Sequence, residues 1–399
     1  MISRSSQPAD QKIVAEGLTF DDLLLLPREA TFGRDQADMT TKLHPKVVLK
    51  IPIISSPMDT VTEEKMAMAM AEAGGLGIIH RNLSIAKQAD MVRVVKKRKL
   101  QTTSLRQGYA RQASYKLQAL DAQGHLLVGA AVGVGPDFDE RILALIQAKC
   151  DVIVVDTAHG HSTLIVDAVK AIKKKSKSQV VMAGNVATAE GAKALVKAGA
   201  DILRVGMGPG AICTTRVVTG VGVPQMTAIF EVVKGVKGVR GGKGVTIIAD
   251  GGIKQMGDIA KALGAGAHAV MLGSMLAGYR ESPGEIIEVD GQKMKKYRGM
   301  GSVAAMSEGS ASRYGQKASD GAKKLIAEGV EGAVPFKGDV AEFLHQAAGS
   351  LRSSMYYLGS KTIEELRKNA QFVRITHASL KESHPHSIVV TEAGGNYRA

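Results

Sequence analysis

Cysteine is nearly missing from this chain: 399 residues carry two, Cys150 and Cys213. Two thiols cannot build the disulfide framework of a small secreted domain, and such sparing use fits a reducing, cytoplasmic compartment. Aromatic residues are scarce too, at 4 % with no tryptophan. The formal net charge is +14, with basic runs at 96–99, 173–177 and 293–296, but no aromatic residue interleaves with them. Without a stacking platform, specific nucleic-acid binding is not expected. The runs read as solvated helix faces and loop ends that attract anionic metabolites in general. No apolar stretch approaches the ~18 residues of a membrane span. Residues 1–11 are polar with no apolar signal core, so neither an anchor nor a secretory leader is expected.

Glycine, by contrast, is plentiful, with 45 residues, which suits a loop-rich α/β enzyme. After an arm at 1–16, short apolar or β-branched runs alternate with helical patterns. The runs are 51–55, 76–79, 128–132, 152–156, 180–184, 202–205, 245–250 and 269–273. Helical patterns cover 61–73, 85–97, 138–149, 163–174, 188–198, 224–236 and 255–263, with a further helix at 340–357. Continuous apolar runs mark strands covered on both faces. Eight such units predict a single (β/α)8 TIM-barrel domain over 1–399. A doubly wound sheet would open on a strand–GxGxxG–helix fingerprint, and the glycines at 129–135 have the wrong spacing for one.

In such a barrel the active site gathers where strands end. The residues after the runs are polar or glycine: 55–59, 80–82, 156–159, 184–185, 206 onward, 250–252 and 273–274. That pattern predicts an enzyme. The loop at 204–228 sets Cys213 among glycines with Thr214, Thr215 and Arg216 beside it, a presented thiol rather than a packed one. Cys150 reads as packed. Asp250-Gly-Gly and Gly273-Ser274 follow the seventh and eighth runs, where barrels bind phosphate through backbone N–H groups. Asp156 is either a helix cap or a ligand carboxylate. His159-Gly-His161 and His384-Pro-His386 suggest metal pairs, but without carboxylates at clear spacing they make a poor zinc site. The segment 282–338 reads as a mobile flap without regular structure that carries Arg313 and Tyr314. The stretch 376–399 reads as a polar tail reaching a neighbouring subunit.

Several long motifs together resemble the IMP dehydrogenase family over nearly the whole chain. They are Gly17-Leu-Thr-Phe-Asp-Asp, Ser55-Ser-Pro-Met-Asp-Thr-Val-Thr, Asp156-Thr-Ala-His-Gly-His-Ser, Gly208-Pro-Gly-Ala-Ile-Cys-Thr-Thr-Arg, Asp250-Gly-Gly-Ile and Tyr297-Arg-Gly-Met-Gly-Ser. The resemblance implies NAD-dependent oxidation of IMP to xanthosine 5′-monophosphate. Cys213 would attack C2 of the purine, and the covalent adduct would then be hydrolysed. It implies Arg313 as base for the water, brought in with Tyr314 after the reduced cofactor leaves, with Thr215 and Glu328 assisting. It implies IMP contacts at Asp250 to the ribose, at Gly252, Gly273, Ser274 and Tyr297 to the phosphate, and at Gly299, Met300, Gly301 and Glu328. Cofactor contacts are implied at Asp156, Asn185 and Gly206. A potassium ion is implied at Gly208, Gly210 and Cys213, completed by Glu382, Ser383 and His384 from another copy in a homotetramer.

The sequence departs from the family at three places. Ala211 stands where the family usually has Ser, which removes one donor to the phosphate. Gly315 stands where it usually has Phe, which loosens flap docking. Only 100–124 lies where the family commonly inserts a pair of regulatory CBS modules, so control through them is not expected. GMP reductase, an NADPH-dependent deaminase with the same barrel and cysteine loop, is the alternative, and a non-catalytic nucleotide-binding barrel is another. The Arg313-Tyr314 flap and Gly222-Val-Pro-Gln-Met-Thr-Ala-Ile favour the dehydrogenase.

Overall fold

The computed structural model describes residues 12–98, 117–239, 242, 244–394 and 397. Positions 1–11 of the arm, 100–116 of the short connection, and 395, 396, 398 and 399 of the tail lie outside the described residues. Three short strands come first: β1 (Leu23–Leu25), β2 (Thr41–His44) and β3 (Val47–Leu49). The barrel strands are β4 (Ile53–Ser55), β5 (Leu76–Ile79), β6 (Val128–Val132), β7 (Val152–Asp156), β8 (Val180–Val186), β9 (Ile202–Val205), β10 (Thr246–Asp250) and β11 (Ala269–Leu272). They pair in parallel in chain order, and β11 closes on β4. The expected barrel is therefore present, with strand ends shifted by two residues or fewer. Its helices are α1 (Glu64–Glu72), α2 (Ile85–Lys97), α3 (Phe138–Gln147), α4 (Thr163–Lys175), α5 (Ala189–Ala198), the short α6 (Thr215–Thr219), α7 (Gln225–Lys237), α8 (Met256–Gly264) and the short α9 (Ser274–Ala277).

Strand parity sorts the core into two layers. In β7, Val152 and Val154 face the barrel interior, while Ile153 and Val155 pack outward under the helices. The interior is closed at its lower end by the β2–β3 hairpin, whose Leu43, Val47 and Leu49 are fully buried against the inward residues. Hydrogen bonds from Thr41 Oγ1 to the His268 carbonyl (2.8 Å) and from Thr246 Oγ1 to the Leu43 carbonyl (2.9 Å) fix that plug. Each fully buried Leu or Val contributes roughly 1.5–3 kcal/mol, so plug and barrel stabilise one another.

The segment after β11 differs from expectation. Instead of an irregular flap, it forms an antiparallel sheet of β12 (Ile286–Val289), β13 (Gln292–Arg298) and β14 (Glu331–Pro335). Between β13 and β14 lie α10 (Val303–Ala305) and several tight helical turns, with a small core of Met306, Ala311 and Leu325 against Tyr314 and Ala327. Then follow α11 (Val340–Tyr357), α12 (Ile363–Asn369), β15 (Phe372–Arg374), which pairs with β1, and α13 (His377–Glu382). The tail thus begins in regular structure tied to the N-terminal strand.

The basic runs are not all solvated either. Lys96 is buried at the end of α2, with its ammonium 2.9 Å from Asp121 and 2.6 Å from Asp151. Asp121 comes from the short connection between α2 and β6, so Lys96 stitches that connection to the underside. Among the described residues, no helix is long and apolar enough to cross a membrane.

Candidate active site

Parity also builds the site. Continuing the inward positions of β7, β9 and β10 past their apolar residues brings Asp156, Arg204 and Asp250 to the upper rim of the interior. Gly184 pairs with Asp156 across β8, and a Cβ there would lie 2.6 Å from Arg204 Cβ. Only glycine at 184 lets the β9 backbone at position 204 lie this close.

The three charged residues form a buried chain. Arg204 is 1 % exposed; its Nη1 donates to Asp156 Oδ1 at 2.5 Å and its Nη2 to Asp250 Oδ2 at 2.7 Å. Asn185 Nδ2 donates to the same Asp250 oxygen at 2.8 Å. At the other end Arg313 forms an ion pair with Asp156 Oδ1. Burial alone would raise the Asp156 pKa, but the Arg313 and Arg204 guanidinium groups outweigh it and hold the carboxyl well below the usual range. Burial likewise opposes the charge on Arg313, and the Asp156 carboxylate more than offsets this, so Arg313 is held as a cation. In this arrangement it cannot accept a proton; service as a base requires the pair to open.

Cys213 sits between β9 and α6, half-buried, with its thiol donating to Thr215 Oγ1 at 3.2 Å. Its loop is strapped to the segment after β13. Thr214 N–H donates to the Glu328 carbonyl (3.0 Å), Val330 N–H to the Ile212 carbonyl (3.0 Å) and Glu328 N–H to the Gly301 carbonyl (3.0 Å). Arg216 braces the loop, with Nε donating to the Met207 carbonyl at 3.0 Å and Nη2 to the Val223 carbonyl at 2.6 Å. Gly208 and Gly222 flank it, each with space that a Cβ would take from the Arg216 stem. The arginine that the sequence sets beside the thiol is thus a structural brace.

The segment bearing Arg313 is docked on the barrel rim by polar contacts. Arg298 bonds Asp59 at 2.8 Å and also pairs with Glu308. Asn82 Nδ2 donates to Asp59 Oδ2 at 2.9 Å, and Arg81 Nη2 to Ser312 Oγ at 3.1 Å. The Arg313 carbonyl accepts from Ala158 N–H at 3.2 Å. Tyr314 lies so close to Gly301 that a Cβ there would be 2.8 Å from its ring.

Together these elements enclose a cavity of about 330 Å³. On its wall stand Cys213, Thr215, Arg313, Tyr314, Glu328, Asp250, Gly252, Gly273, Ser274, Tyr297, Gly299, Met300, Gly301, Asn185, Gly206, Gly208 and Gly210. Gly251 and Gly252 have φ of +88° and +80°, a left-handed turn that brings this loop against Pro209 of the cysteine loop. Tyr297 is buried beside Gly273, and burial, aided by Asp250, pushes its hydroxyl upward, so it remains protonated as a donor.

Four positions implied by the resemblance are not on this wall. Asp156 lies beneath it, 2 % exposed, paired with Arg204 and Arg313 rather than open to a cofactor. Glu382, Ser383 and His384 end α13, away from the cavity, and His384 Nδ1 lies 3.2 Å from the Tyr397 hydroxyl. His159 and His161 have ring centroids 6.4 Å apart, and among the described residues no three His, Cys, Asp or Glu side chains group as metal ligands. Cys150 is packed as expected, and burial pushes its thiol up to about 12. Sequence reasoning missed Arg204, although a charge inside the apolar run 202–205 was the signal. It also missed Lys254 on the cavity wall.

Residues 17–386 match the family model described as IMP dehydrogenase / GMP reductase domain. An inosine-5′-monophosphate dehydrogenase from Borreliella burgdorferi is 45 % identical over 401 residues, covering 94 % of this chain and 98 % of that protein. Inosine-5′-monophosphate dehydrogenases from Halalkalibacterium halodurans and Bacillus subtilis are each 41 % identical, over 488 and 490 positions, covering 97 % of this chain and 99 % of theirs. Those two alignments are longer than the 399 residues here, so these relatives carry sequence that this chain lacks.

Proposed function

This chain belongs to the IMP dehydrogenase / GMP reductase family, and on that premise we propose that it is an NAD-dependent oxidoreductase that converts IMP to xanthosine 5′-monophosphate, toward guanine nucleotides. The observation that carries this reading is the meeting of the Cys213 thiol and the Arg313-Tyr314 turn on one cavity. A covalent nucleophile and a closing segment divide one hard conversion into adduct formation and hydrolysis. A cytoplasmic location is part of the same reading.

Cys213 would attack C2 of the purine as the thiolate, its proton passing through the Thr215 hydroxyl to water. NAD, held on the side lined by Asn185 and Gly206, would supply the hydride acceptor for C2. Asp250 accepts from the ribose hydroxyls, and Gly252, Gly273, Ser274 and Tyr297 hold the phosphate. The backbone at Gly299, Met300 and Gly301 contacts the base. Arg313 and Tyr314 exclude bulk water from the adduct, with Thr215 and Glu328 orienting the water that hydrolyses it. Asn185 and Gly206 line the cofactor side. Asp156 joins them when Arg313 leaves it, and only after leaving that carboxylate can Arg313 act as the base.

The same reading extends to a potassium ion at the carbonyls of Gly208, Gly210 and Cys213, completed by Glu382, Ser383 and His384 of a neighbouring copy in a homotetramer. What supports it is the donor set: backbone carbonyls are hard oxygen ligands suited to such a cation. Glu382, Ser383 and His384 do not line the cavity of their own chain, which is in keeping with their serving a neighbouring copy. Replacing potassium by tetramethylammonium is expected to lower turnover at least about tenfold, one decade being 1.4 kcal/mol; an unchanged rate would remove the ion from the scheme.

The functional test is absorbance at 340 nm. It should rise with IMP and NAD⁺ and stay flat with GMP and NADPH; the reverse result would make the chain a reductase, and silence in both would sink either enzyme reading. Cys213→Ala should abolish the rise and the protein-bound adduct seen by mass spectrometry.

A further inference from the structure

Arg204 lies at the floor of the cavity, almost wholly buried, between two carboxylates of the site. It is 1 % exposed, and it bridges Asp156, which holds Arg313, and Asp250, which stands on the cavity wall. Among the described residues, both side-chain hydrogen bonds of Asp250, from Arg204 and from Asn185, fall on Oδ2. Its Oδ1 is left for a ligand hydroxyl. At the other end Asp156 Oδ1 takes both Arg204 and Arg313. The order is therefore Asp250, Arg204, Asp156, Arg313, each linked to the next by a charged contact, with a ligand hydroxyl to be added at the Asp250 end.

We propose that Arg204 is a positioning residue that couples occupancy of the nucleotide site at Asp250 to docking of the Arg313 segment on Asp156. The proposal rests on the reading that IMP is the ligand at Asp250. Hydroxyl donors that fix the Asp250 carboxylate fix the planar guanidinium bonded to it. Its other edge then holds Asp156 in the orientation that receives Arg313. The segment docks with less ordering left to do, which is coupling through preorganisation rather than through displacement. A guanidinium is suited to this because its rigid fork bonds two carboxylates in one plane, whereas a lysine ammonium reaching one of them would release the other. Coupling of this kind is reciprocal, so Arg313 docking must tighten IMP binding by the same factor.

Lys317, Lys323 and Lys324 are exposed on the docked segment, which makes trypsin a direct probe of its release. In the unaltered protein, IMP without NAD should slow cleavage after these lysines at least about fivefold, the lower end of ordinary site-to-site coupling. In Arg204→Lys, IMP should still raise the melting temperature while the protection disappears. A merely structural role would speed cleavage with and without IMP and leave their ratio unchanged, and that result overturns the proposal. Because Arg204→Lys changes a buried position, Arg313→Ala supplies an arm that leaves the barrel interior intact. It should weaken IMP binding by the factor measured in the protection experiment, and unaltered IMP affinity would overturn the coupling. If IMP does not raise the melting temperature of the unaltered protein, the substrate reading fails and the coupling with it. If it does but cleavage is unaffected, only the coupling fails.

Discussion

The nucleophile depends on one hydroxyl. Thr215 Oγ1 is the acceptor for the Cys213 thiol at 3.2 Å, and Thr215→Val keeps the shape while removing it. Loss of one such bond, about 1–2 kcal/mol, should lower kcat about tenfold with the melting temperature unchanged; full activity would leave the contact without a catalytic purpose. At this scale much was legible in the sequence. Cys213 stood apart because glycines and threonines surround it, and Cys150 because it comes just before the apolar run 152–156. The pairing of Asp156 with Arg204 and Arg313 was not legible, since those residues meet only when three strands and a distant turn converge. The bracing role of Arg216 was hidden for a related reason. Its position beside the thiol was visible, but the carbonyls that hold it belong to Met207 and Val223 on either side of the loop.

The elements divide the same way. The eight barrel strands were readable because burial on both faces leaves continuous apolar runs. The sheet of β12, β13 and β14 was hidden because its inward position on β13 is Lys295, which breaks the apolar alternation that marks a half-buried strand. Its ammonium is satisfied by the carbonyls of Tyr279 at 3.1 Å and Ser282 at 2.5 Å, partners no local pattern announces. This sheet carries Arg298, whose bonds to Asp59 and Glu308 hold the Arg313 segment to the rim. Arg298→Leu should free that segment and speed tryptic cleavage after Lys317, Lys323 and Lys324 several-fold, while far-ultraviolet circular dichroism stays unchanged. Cleavage at the original rate would mean that Asn82, Arg81 and the backbone bonds suffice.

For the whole molecule, acid tolerance is set in part beneath the barrel. His268 Nδ1 accepts from Ile247 N–H at 3.0 Å, a contact that needs the neutral ring. Burial, with a smaller contribution from Arg367, lowers its pKa from 6.5 to about 3. The unfolded chain therefore takes up this proton first as pH falls, so the stabilisation is complete above 6.5 and is lost progressively toward 3. The loss should be on the order of 3 kcal/mol by about pH 4. His268→Asn keeps an acceptor without the titration, and urea unfolding between pH 7 and 4 should show a shallower decline than in the unaltered chain. Parallel declines would exclude His268 as the source. The underside bears on more than acid. The β2–β3 plug and the Lys96 bridge to Asp121 and Asp151 close the barrel at the end opposite the cysteine loop. A lineage with this layout can lengthen or shorten the connection between α2 and β6 while selection on the chemistry proceeds undisturbed. The barrel's lower face is where such a protein is free to evolve.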